Sequence, residues 1–268
     1  MADPTLLIPG YGDRNNMEAL WNKCNAAIRT VDSDTLIFFE GSTYDILSGF
    51  NNVPGGDGSK TVHSYHYYKP PQLISIETTI KNRVHDANRL KTMGMMTEFQ
   101  FWDEGDASKA GILETLKYAD IYMQNWQGWG YQHLWRSTGE INQDLARLYA
   151  RSYVEATAGV TKTMYFQDET AKYWVSWVAD TSVTAPGLIR IAPKYYYPDG
   201  IRVFFVPAGT GNYTMEGPQT VQLHYTKAAQ NGQTIQASVQ PFFPTDIVKN
   251  PASGKCMDIT KGDVTPVS

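Results

Sequence analysis

A change of pattern near Ala158 divides this chain of 268 residues into two parts. Before Ala158, short apolar runs typical of β-strands alternate with stretches of helical periodicity. Strands separated by helices of about ten or more residues indicate βα units around a parallel sheet. The strand-like runs are residues 35–40, 62–68, 94–101 and 121–129, and the helical stretches are residues 16–29, 76–90, 108–118 and 141–153.

After Ala158, short strand-like runs follow one another with only turn residues between them. They are residues 161–167, 173–179, 188–192, 201–206, 220–225 and 234–239. This spacing predicts an antiparallel β-sandwich. Four βα units are half of an eightfold barrel. We therefore predict an α/β fold: the C-terminal half of a (β/α)8 TIM barrel at 1–155, an antiparallel β-sandwich at 156–245 and a loose tail at 246–268.

The charge balance argues against a nucleic-acid partner. With 23 basic and 27 acidic residues, the formal net charge is -4, so no excess of positive charge is available to attract phosphates. No apolar run is long enough to span a bilayer, and the N-terminal residues do not resemble a signal peptide. The two cysteines, Cys24 and Cys256, lie far apart and form no metal-binding or redox motif.

Side-chain alternation along the predicted strands suggests where reactive groups collect. Ser64, His66 and Tyr68 share one face of their strand, and His63 points to the other face, which argues against a metal bound by both histidines. Alternation likewise places Met96, Glu98 and Gln100 on one face. Because active sites of α/β barrels lie at the carboxyl ends of the strands, one barrel mouth is expected to hold five side chains. These are Glu40, His66, Tyr68, Glu98 and Trp126.

A carboxylate beside a tyrosine hydroxyl and a tryptophan is typical of sugar hydrolysis, in which the carboxylate attacks the anomeric carbon. Structural explanations remain open for two of these residues: Glu40 can simply end its strand, and His66 can be a satisfied structural histidine. Glu98 is harder to explain structurally, because an inward carboxylate is costly unless another group pairs with it or uses it.

For the aromatic residues at 195–197 and 204–205, core packing is favoured over a sugar-binding surface. Asn212 opens a glycosylation sequon that we expect in a turn.

Several ordered motifs resemble those of the endoglycoceramidases, which are clan A, family 5 glycoside hydrolases that release oligosaccharide from ceramide with retention. The motifs are PTLLIPGYGDRNN, DTLIFFEG, SYHYYKP, MTEF and QNWQGWGYQ. The resemblance implies that Glu98 is the nucleophile and that His66 and Tyr68 orient it. It also implies that Trp126 lines the first sugar subsite, and we assign Glu40 and Gln100 to substrate binding with it. Gln100 stands where the family has glycine.

The family's acid/base is a glutamate in an Asn-Glu-Pro motif, and this chain contains no such motif. We therefore expect a truncated retaining hydrolase of the endoglycoceramidase type that needs the missing N-terminal half of the barrel and is inactive alone. The resemblance implies a glycolipid or oligosaccharide substrate, peripheral contact with lipid, no cofactor and no metal, and a secreted or lysosomal location. Two alternatives stay open: a non-catalytic sugar- or glycolipid-binding remnant, and a truncated product that does not fold alone.

Overall fold

The computed structural model describes residues 5, 8, 10–42, 48–68, 73–100 and 105–242, together with three backbone strands beyond them. The chain forms two compact units, Met1–Leu145 and Ala146–Ser268. The boundary predicted from the sequence, between residues 155 and 156, lies later in the chain.

Four parallel strands form the sheet of the first unit, in the order β1-β2-β3-β4. Helix α1 precedes β1, α2 connects β2 to β3, and α3 connects β3 to β4. The alternation of strand and helix therefore produces a parallel sheet, and the mixed α/β class is confirmed. The bounds are β1 Ile37–Glu40, β2 Thr61–Tyr68, β3 Met93–Gln100, β4 Asn125–Trp126, α1 Glu18–Ile28, α2 Ile76–Leu90 and α3 Asp106–Ile121.

Helix α2 shows how local sequence fixes these elements. The Ser75 hydroxyl caps its first turn by accepting a hydrogen bond of 3.2 Å from the backbone N–H of Thr78. Ile76, Ile80 and Leu90 are buried along one side of the helix, and the helix ends where Lys91 adopts a left-handed conformation with φ of 54°. Polar residues outside this side complete an amphipathic helix.

The fourth strand is shorter than predicted, because Ile121 belongs to the last turn of α3 rather than to the strand. The backbone N–H of Met123 bonds to the carbonyl of Asp120, and that of Gln124 bonds to the carbonyl of Ala119. These bonds close the helix just before β4. Phe101, predicted as the end of the third strand, lies outside the described residues.

Two antiparallel four-stranded sheets form the second unit, in the orders β10-β11-β8-β5 and β6-β7-β12-β9. Tyr173, Val175 and Trp177 alternate along β7 and are buried in a core to which strands of both sheets contribute. Helix α4, Gln143–Tyr149, crosses the division between the units, and the short helix α5 covers Pro193–Tyr196. The strands are β5 Tyr153–Ala156, β6 Gly159–Gln167, β7 Lys172–Ala179, β8 Gly187–Arg190, β9 Ile201–Val206, β10 Gly211–Glu216, β11 Thr220–Tyr225 and β12 Thr234–Pro241.

Two predictions for this part of the chain are wrong in detail. Strand β5 begins at Tyr153, where the sequence predicted the end of a helix. Strand β10 contains Asn212, whose sequon was expected in a turn; this edge strand is almost wholly exposed, so it has no alternating pattern. The backbone of the predicted loose tail forms an antiparallel sheet of β13 Ile247–Lys249, β14 Cys256–Thr260 and β15 Asp263–Pro266, with Pro and Gly between the strands.

The aromatic residues at 195–197 and 204–205 mostly pack inward, as predicted. Tyr196 and Tyr197 are buried in the core of the second unit, and Tyr195 and Phe205 pack against it. Core packing is therefore the correct interpretation for these four side chains.

Candidate active site

The carboxyl end of β1 carries the first acidic residue of the site. Glu40 is the last residue of that strand, and its backbone carbonyl accepts a hydrogen bond of 2.9 Å from the indole N–H of Trp21. Its Cα partner on β2 is Ser64. Paired residues of neighbouring parallel strands point to the same face, so Glu40 lies on the face of Ser64, His66 and Tyr68.

A β-bulge in β3 aligns Glu98 with this face. Tyr65 pairs with Met96 and His66 pairs with Glu98, so Thr97 is an extra residue without a partner on β2. Met96 therefore shares the face of Tyr65, and the prediction that it lies on the face of Glu98 is wrong. The bulge breaks the two-residue period on which that prediction relied.

Four of the predicted side chains lie in direct contact at this end of the sheet. The Tyr68 hydroxyl donates a hydrogen bond of 2.5 Å to Oε2 of Glu98. Nδ1 of His66 lies 3.3 Å from the same oxygen, and Nε2 of His66 lies 3.3 Å from Oε2 of Glu40. The side chains of Glu40, His66 and Glu98 are 35%, 31% and 27% exposed, so the group is half-buried and open to a ligand.

The environment of this cluster shifts the pKa values of two members. Burial raises the pKa of Glu40, and the neighbouring Glu98 acts in the same direction, while His66 and Arg83 oppose the rise. Burial and the hydrogen bond to Glu98 raise the pKa of Tyr68 well above its usual range. Tyr68 therefore keeps its proton and remains a hydrogen-bond donor to the carboxylate.

Gln100 lies on the same face but outside these contacts. Its Cα partner is Tyr68, and only 5% of the residue is exposed. Its Oε1 is buried and has no hydrogen-bond partner among the described residues. A buried amide oxygen without a partner is costly, so Gln100 is a candidate ligand for a polar group that enters the site.

The structure does not bring Trp126 to the four side chains. Its Cα partner is Met96, on the face of Tyr65, and its ring packs edge-on against Phe99 at 5.8 Å between centroids. Phe99 pairs with Tyr67, which points away from His66 and Glu98. Register and ring contact thus assign Trp126 to the opposite face of the sheet.

Trp129 is a second tryptophan near this end of the sheet, and the sequence did not lead us to assign it to the site. Its backbone N–H donates a hydrogen bond of 3.0 Å to the carbonyl of Phe99, directly before Gln100. The residue is 49% exposed. The predicted strand at 121–129 contained both tryptophans. In the structure, β4 ends at Trp126, so Trp129 lies after the strand.

His63 lies on the opposite face from His66, as the alternation predicted. It is 1% exposed and stacks on Phe39, with ring centroids 5.1 Å apart. Burial lowers its pKa to about 3, with Arg83 and Arg89 acting in the same direction and Asp13 opposing them. His63 is therefore a neutral core residue.

Comparisons with known proteins identify relatives of this chain. The endoglycoceramidase of Cyanea nozakii is 30% identical over 255 residues, and that of Hydra vulgaris is 33% identical over 217 residues. Residues 151–239 match the glycoside hydrolase family 5 C-terminal domain. The chain is an endoglycoceramidase-like protein of glycoside hydrolase family 5.

This family 5 chain spans about half the length of the curated relatives it matches. The alignment with the Cyanea nozakii protein covers 88% of this chain and 50% of the relative, and for Hydra vulgaris the shares are 74% and 40%. Endo-glycoceramidase II from Rhodococcus sp. has the same fold over 88% of this chain and 57% of its own, with a TM-score of 0.73 and 15% identity. Its solved complexes include a lactosyl-enzyme intermediate and a ganglioside GM3 complex.

In this family 5 chain, two buried carboxylates bind the backbone on either side of residues 43–47. Asp13 is fully buried and accepts hydrogen bonds from the backbone N–H and hydroxyl of Ser42, at 2.7 and 3.1 Å, and from the backbone N–H of Gly49, at 2.9 Å. Asp86 accepts one from the backbone N–H of Ser48, at 3.0 Å. Both ends of the segment after Glu40 are thereby fixed.

Within the described parts of the chain, no three histidine, cysteine or acidic side chains are arranged to hold a metal ion. In the same residues, no helix has the length and apolar character needed to cross a membrane.

Proposed function

We propose that this chain carries the nucleophile of a retaining glycoside hydrolase of the endoglycoceramidase type, and that Glu98 is that nucleophile. The observation that supports this most directly is that two side chains contact the same carboxylate oxygen. Tyr68 and His66 both approach Oε2 of Glu98. No hydrogen bond from a described residue reaches Oε1, which leaves that oxygen available to attack a sugar.

In the proposed reaction, Oε1 of Glu98 forms a bond to the anomeric carbon as the bond from that carbon to the glycosidic oxygen breaks. The departing oxygen takes a proton from a general acid, and water later hydrolyses the glycosyl-enzyme bond with the same group acting as base. The hydrogen bond from Tyr68 holds the attacking carboxylate in one orientation. This positioning lowers the activation barrier for attack on the anomeric carbon.

The relatives' names support a glycolipid substrate in which an oligosaccharide is β-linked to ceramide. The Rhodococcus sp. enzyme, whose fold this chain shares, has been solved as a lactosyl-enzyme intermediate and with ganglioside GM3. We propose the same substrate class here, with peripheral contact to the lipid that presents it. A secreted or lysosomal location would fit that substrate class.

The general acid is proposed to come from outside these 268 residues. The chain lacks an Asn-Glu-Pro motif and spans about half of its curated relatives. We accordingly propose that the first unit is the C-terminal half of a TIM barrel, that the second is a β-sandwich, and that the isolated chain does not hydrolyse glycolipid. Loss of general acid catalysis typically lowers a rate by about 10²–10⁴-fold.

A glycoside with an activated leaving group tests Glu98 without requiring the general acid. We would incubate the chain with a dinitrophenyl lactoside that carries fluorine beside the anomeric carbon, because dinitrophenolate leaves unprotonated and the fluorine slows hydrolysis of the adduct. Intact mass and peptide mapping should show one lactosyl group on Glu98. Glu98→Gln should abolish labelling, and Glu169→Gln, an exposed carboxylate of the second unit, should not change it. Labelling that persists in Glu98→Gln would overturn the proposal.

A non-catalytic sugar-binding function is the second candidate, and the half-exposed ring of Trp129 favours it. Sugars stack on exposed aromatic faces without any nucleophile. This candidate predicts that the wild-type chain binds lactose yet is never labelled by the fluorinated probe, and that binding survives Glu98→Gln.

A further inference from the structure

The carboxylate of Glu40 points at a histidine rather than standing free in the site. Its Oε2 lies 3.3 Å from Nε2 of His66, whose other ring nitrogen lies 3.3 Å from Glu98. We propose that Glu40 is a positioning residue: it holds the His66 ring so that Nδ1 carries a proton and donates it as a hydrogen bond to Glu98. This inference rests on the proposed function of Glu98 and replaces the substrate-binding role expected for Glu40.

The positions of the protons on the His66 imidazole decide which nitrogen can donate a hydrogen bond to Glu98. A neutral histidine has one N–H and one bare nitrogen, and the hydrogen bond at one nitrogen decides the state of the other. At 3.3 Å, Glu40 and Nε2 of His66 are close enough to share one proton. If Glu40 holds it, His66 is neutral and its remaining proton is on Nδ1. If Nε2 holds it, the ring must be a cation to face Glu98 with a second N–H.

Without Glu40, Nε2 has no carboxylate partner and the ring can turn so that Nδ1 no longer faces Glu98. A neutral ring that has turned away is free to carry its only proton on Nε2. A carboxylate that fixes the orientation of a functional histidine is a recurring arrangement in enzymes. The surroundings of Glu40 fit this role, because burial favours its protonated form and hence a proton shared with His66.

Among the described residues, the other charged and titratable groups that act on Glu40 also interact with other partners. Arg83 of α2 acts on Glu40 electrostatically, but its own ion pair is with Asp86, at 3.5 Å. Tyr68 donates to Glu98, and Glu98 repels Glu40. The backbone of Glu40 is held by Trp21, so the carboxylate starts from a fixed strand end.

The position of Glu40 also argues against a role as the general acid. In retaining glycosidases, the acid and the nucleophile are about 5–5.5 Å apart with the glycosidic bond between them. Here the imidazole of His66 stands between Glu40 and Glu98, in the space that a glycosidic bond would need. Glu40 therefore acts on Glu98 through His66.

Nitrogen-15 NMR of the imidazole rings tests this in the full chain, without a hydrolysis assay. The chain has five histidines, and the His66 signals are those absent from the spectrum of His66→Asn. We expect wild-type His66 at neutral pH to carry a proton on Nδ1, and Glu40→Ala to show the Nε2–H tautomer. Glu40→Gln, whose amide can donate to Nε2, should retain Nδ1–H. Glu169→Gln is the control for loss of a distant carboxylate.

Two results would overturn the proposal. One is a wild-type His66 that is protonated on Nε2 alone. This result comes from the wild-type chain, so it does not depend on whether a variant folds. The other is a His66 spectrum that does not change in Glu40→Ala.

The rate of labelling by the fluorinated lactoside adds a functional measurement: it should fall by about 10–100-fold in Glu40→Ala, with partial rescue in Glu40→Gln. A role in substrate binding would instead weaken binding of the probe at an unchanged limiting rate. If Glu98 is not the nucleophile, labelling of Glu98 fails in every variant while the tautomer result still stands.

Discussion

The phenolic oxygen of Tyr68 and Oε2 of Glu98 are 2.5 Å apart, the closest contact within the group of four side chains at the ends of β1, β2 and β3. Tyr68 follows His66 by two residues on β2, so both side chains project from the same face. The bulge at Thr97 then aligns Glu98 with His66. As a result, both side chains contact one carboxylate oxygen of Glu98, and no described residue donates a hydrogen bond to the other oxygen.

Replacing Tyr68 with phenylalanine should slow the reaction of Glu98 with the fluorinated lactoside. The change removes the hydrogen bond to Oε2 and little else, so the carboxylate samples orientations in which Oε1 does not face the sugar. A hydrogen bond to a charged group contributes about 1.5–3 kcal/mol, which corresponds to a labelling rate about 10–100-fold lower. The rate is measured by intact mass at several times.

Tyr67→Phe is the matched control for this experiment. Tyr67 is the neighbouring tyrosine on the opposite face of β2, and its hydroxyl donates to the carbonyl of Ile74, at 3.3 Å. Its replacement should leave the labelling rate within about twofold. Equal slowing in both variants would mean that the rate reports the integrity of β2 rather than the contact with Glu98.

The two tryptophans near the end of β4 should respond differently to truncation. Trp129→Ala should weaken lactose binding by about 5–10-fold through loss of a stacking face, because its ring is half-exposed. Trp126→Ala should mainly lower the free energy of unfolding, because Trp126 packs against the buried Phe99. Calorimetry with lactose and urea unfolding separate the two effects. Weaker lactose binding in Trp126→Ala alone would restore the subsite that the family resemblance implied for Trp126.

Sequence period was sufficient to predict strand β2, which carries two of the site residues, and helix α2, which follows it. The run at 62–68 and the helix at 76–90 coincide closely with β2 and α2, because each has a clear two-residue or 3.6-residue period. Alternation along β2 also separated His63 from His66 correctly. Parallel pairing then places Glu40, His66 and Tyr68 on one face, and the bulge at Thr97 aligns Glu98 with them.

Features that depend on tertiary structure could not be predicted in this way. The bulge at Thr97 has no signature in the sequence MTEF, and it changes the face of Met96. Strand β10 is exposed along its length and so shows no alternation. The partners of Asp13 lie 29 and 36 residues away along the chain, at Ser42 and Gly49, beyond any local pattern.

Asp13→Asn should destabilise the first unit, although it changes only one atom. The two carboxylate oxygens accept hydrogen bonds from the backbone N–H groups of Ser42 and Gly49, one each. In asparagine, an NH2 group replaces one of these oxygens, so it would face one of the N–H groups and could not accept its hydrogen bond. We expect the free energy of unfolding in urea to fall by about 2 kcal/mol. Asp34→Asn is the control, since its side chain is 93% exposed. An equal effect in both variants would show that net charge, and not the buried contacts, is responsible.

His63 should make the first unit sensitive to mild acid. Its pKa is lowered from 6.5 to about 3 in the folded chain, chiefly by burial against Phe39 and Phe50. As pH falls, the unfolded chain therefore binds a proton at His63 before the folded chain does. The free energy of unfolding is not reduced by this group above pH 6.5, and it decreases as pH falls from 6.5 towards 3.

Replacing His63 with phenylalanine should remove this loss of stability in acid, because phenylalanine keeps an aromatic ring in the core but cannot bind a proton. Between pH 7 and pH 5, wild type should lose about 2 kcal/mol more of its unfolding free energy than His63→Phe does, measured by urea unfolding followed by near-ultraviolet circular dichroism. The exposed His85 provides the control, and His85→Gln should follow wild type. Parallel curves for wild type and His63→Phe would mean that His63 is not protonated on unfolding in this range, and that other groups control the acid response.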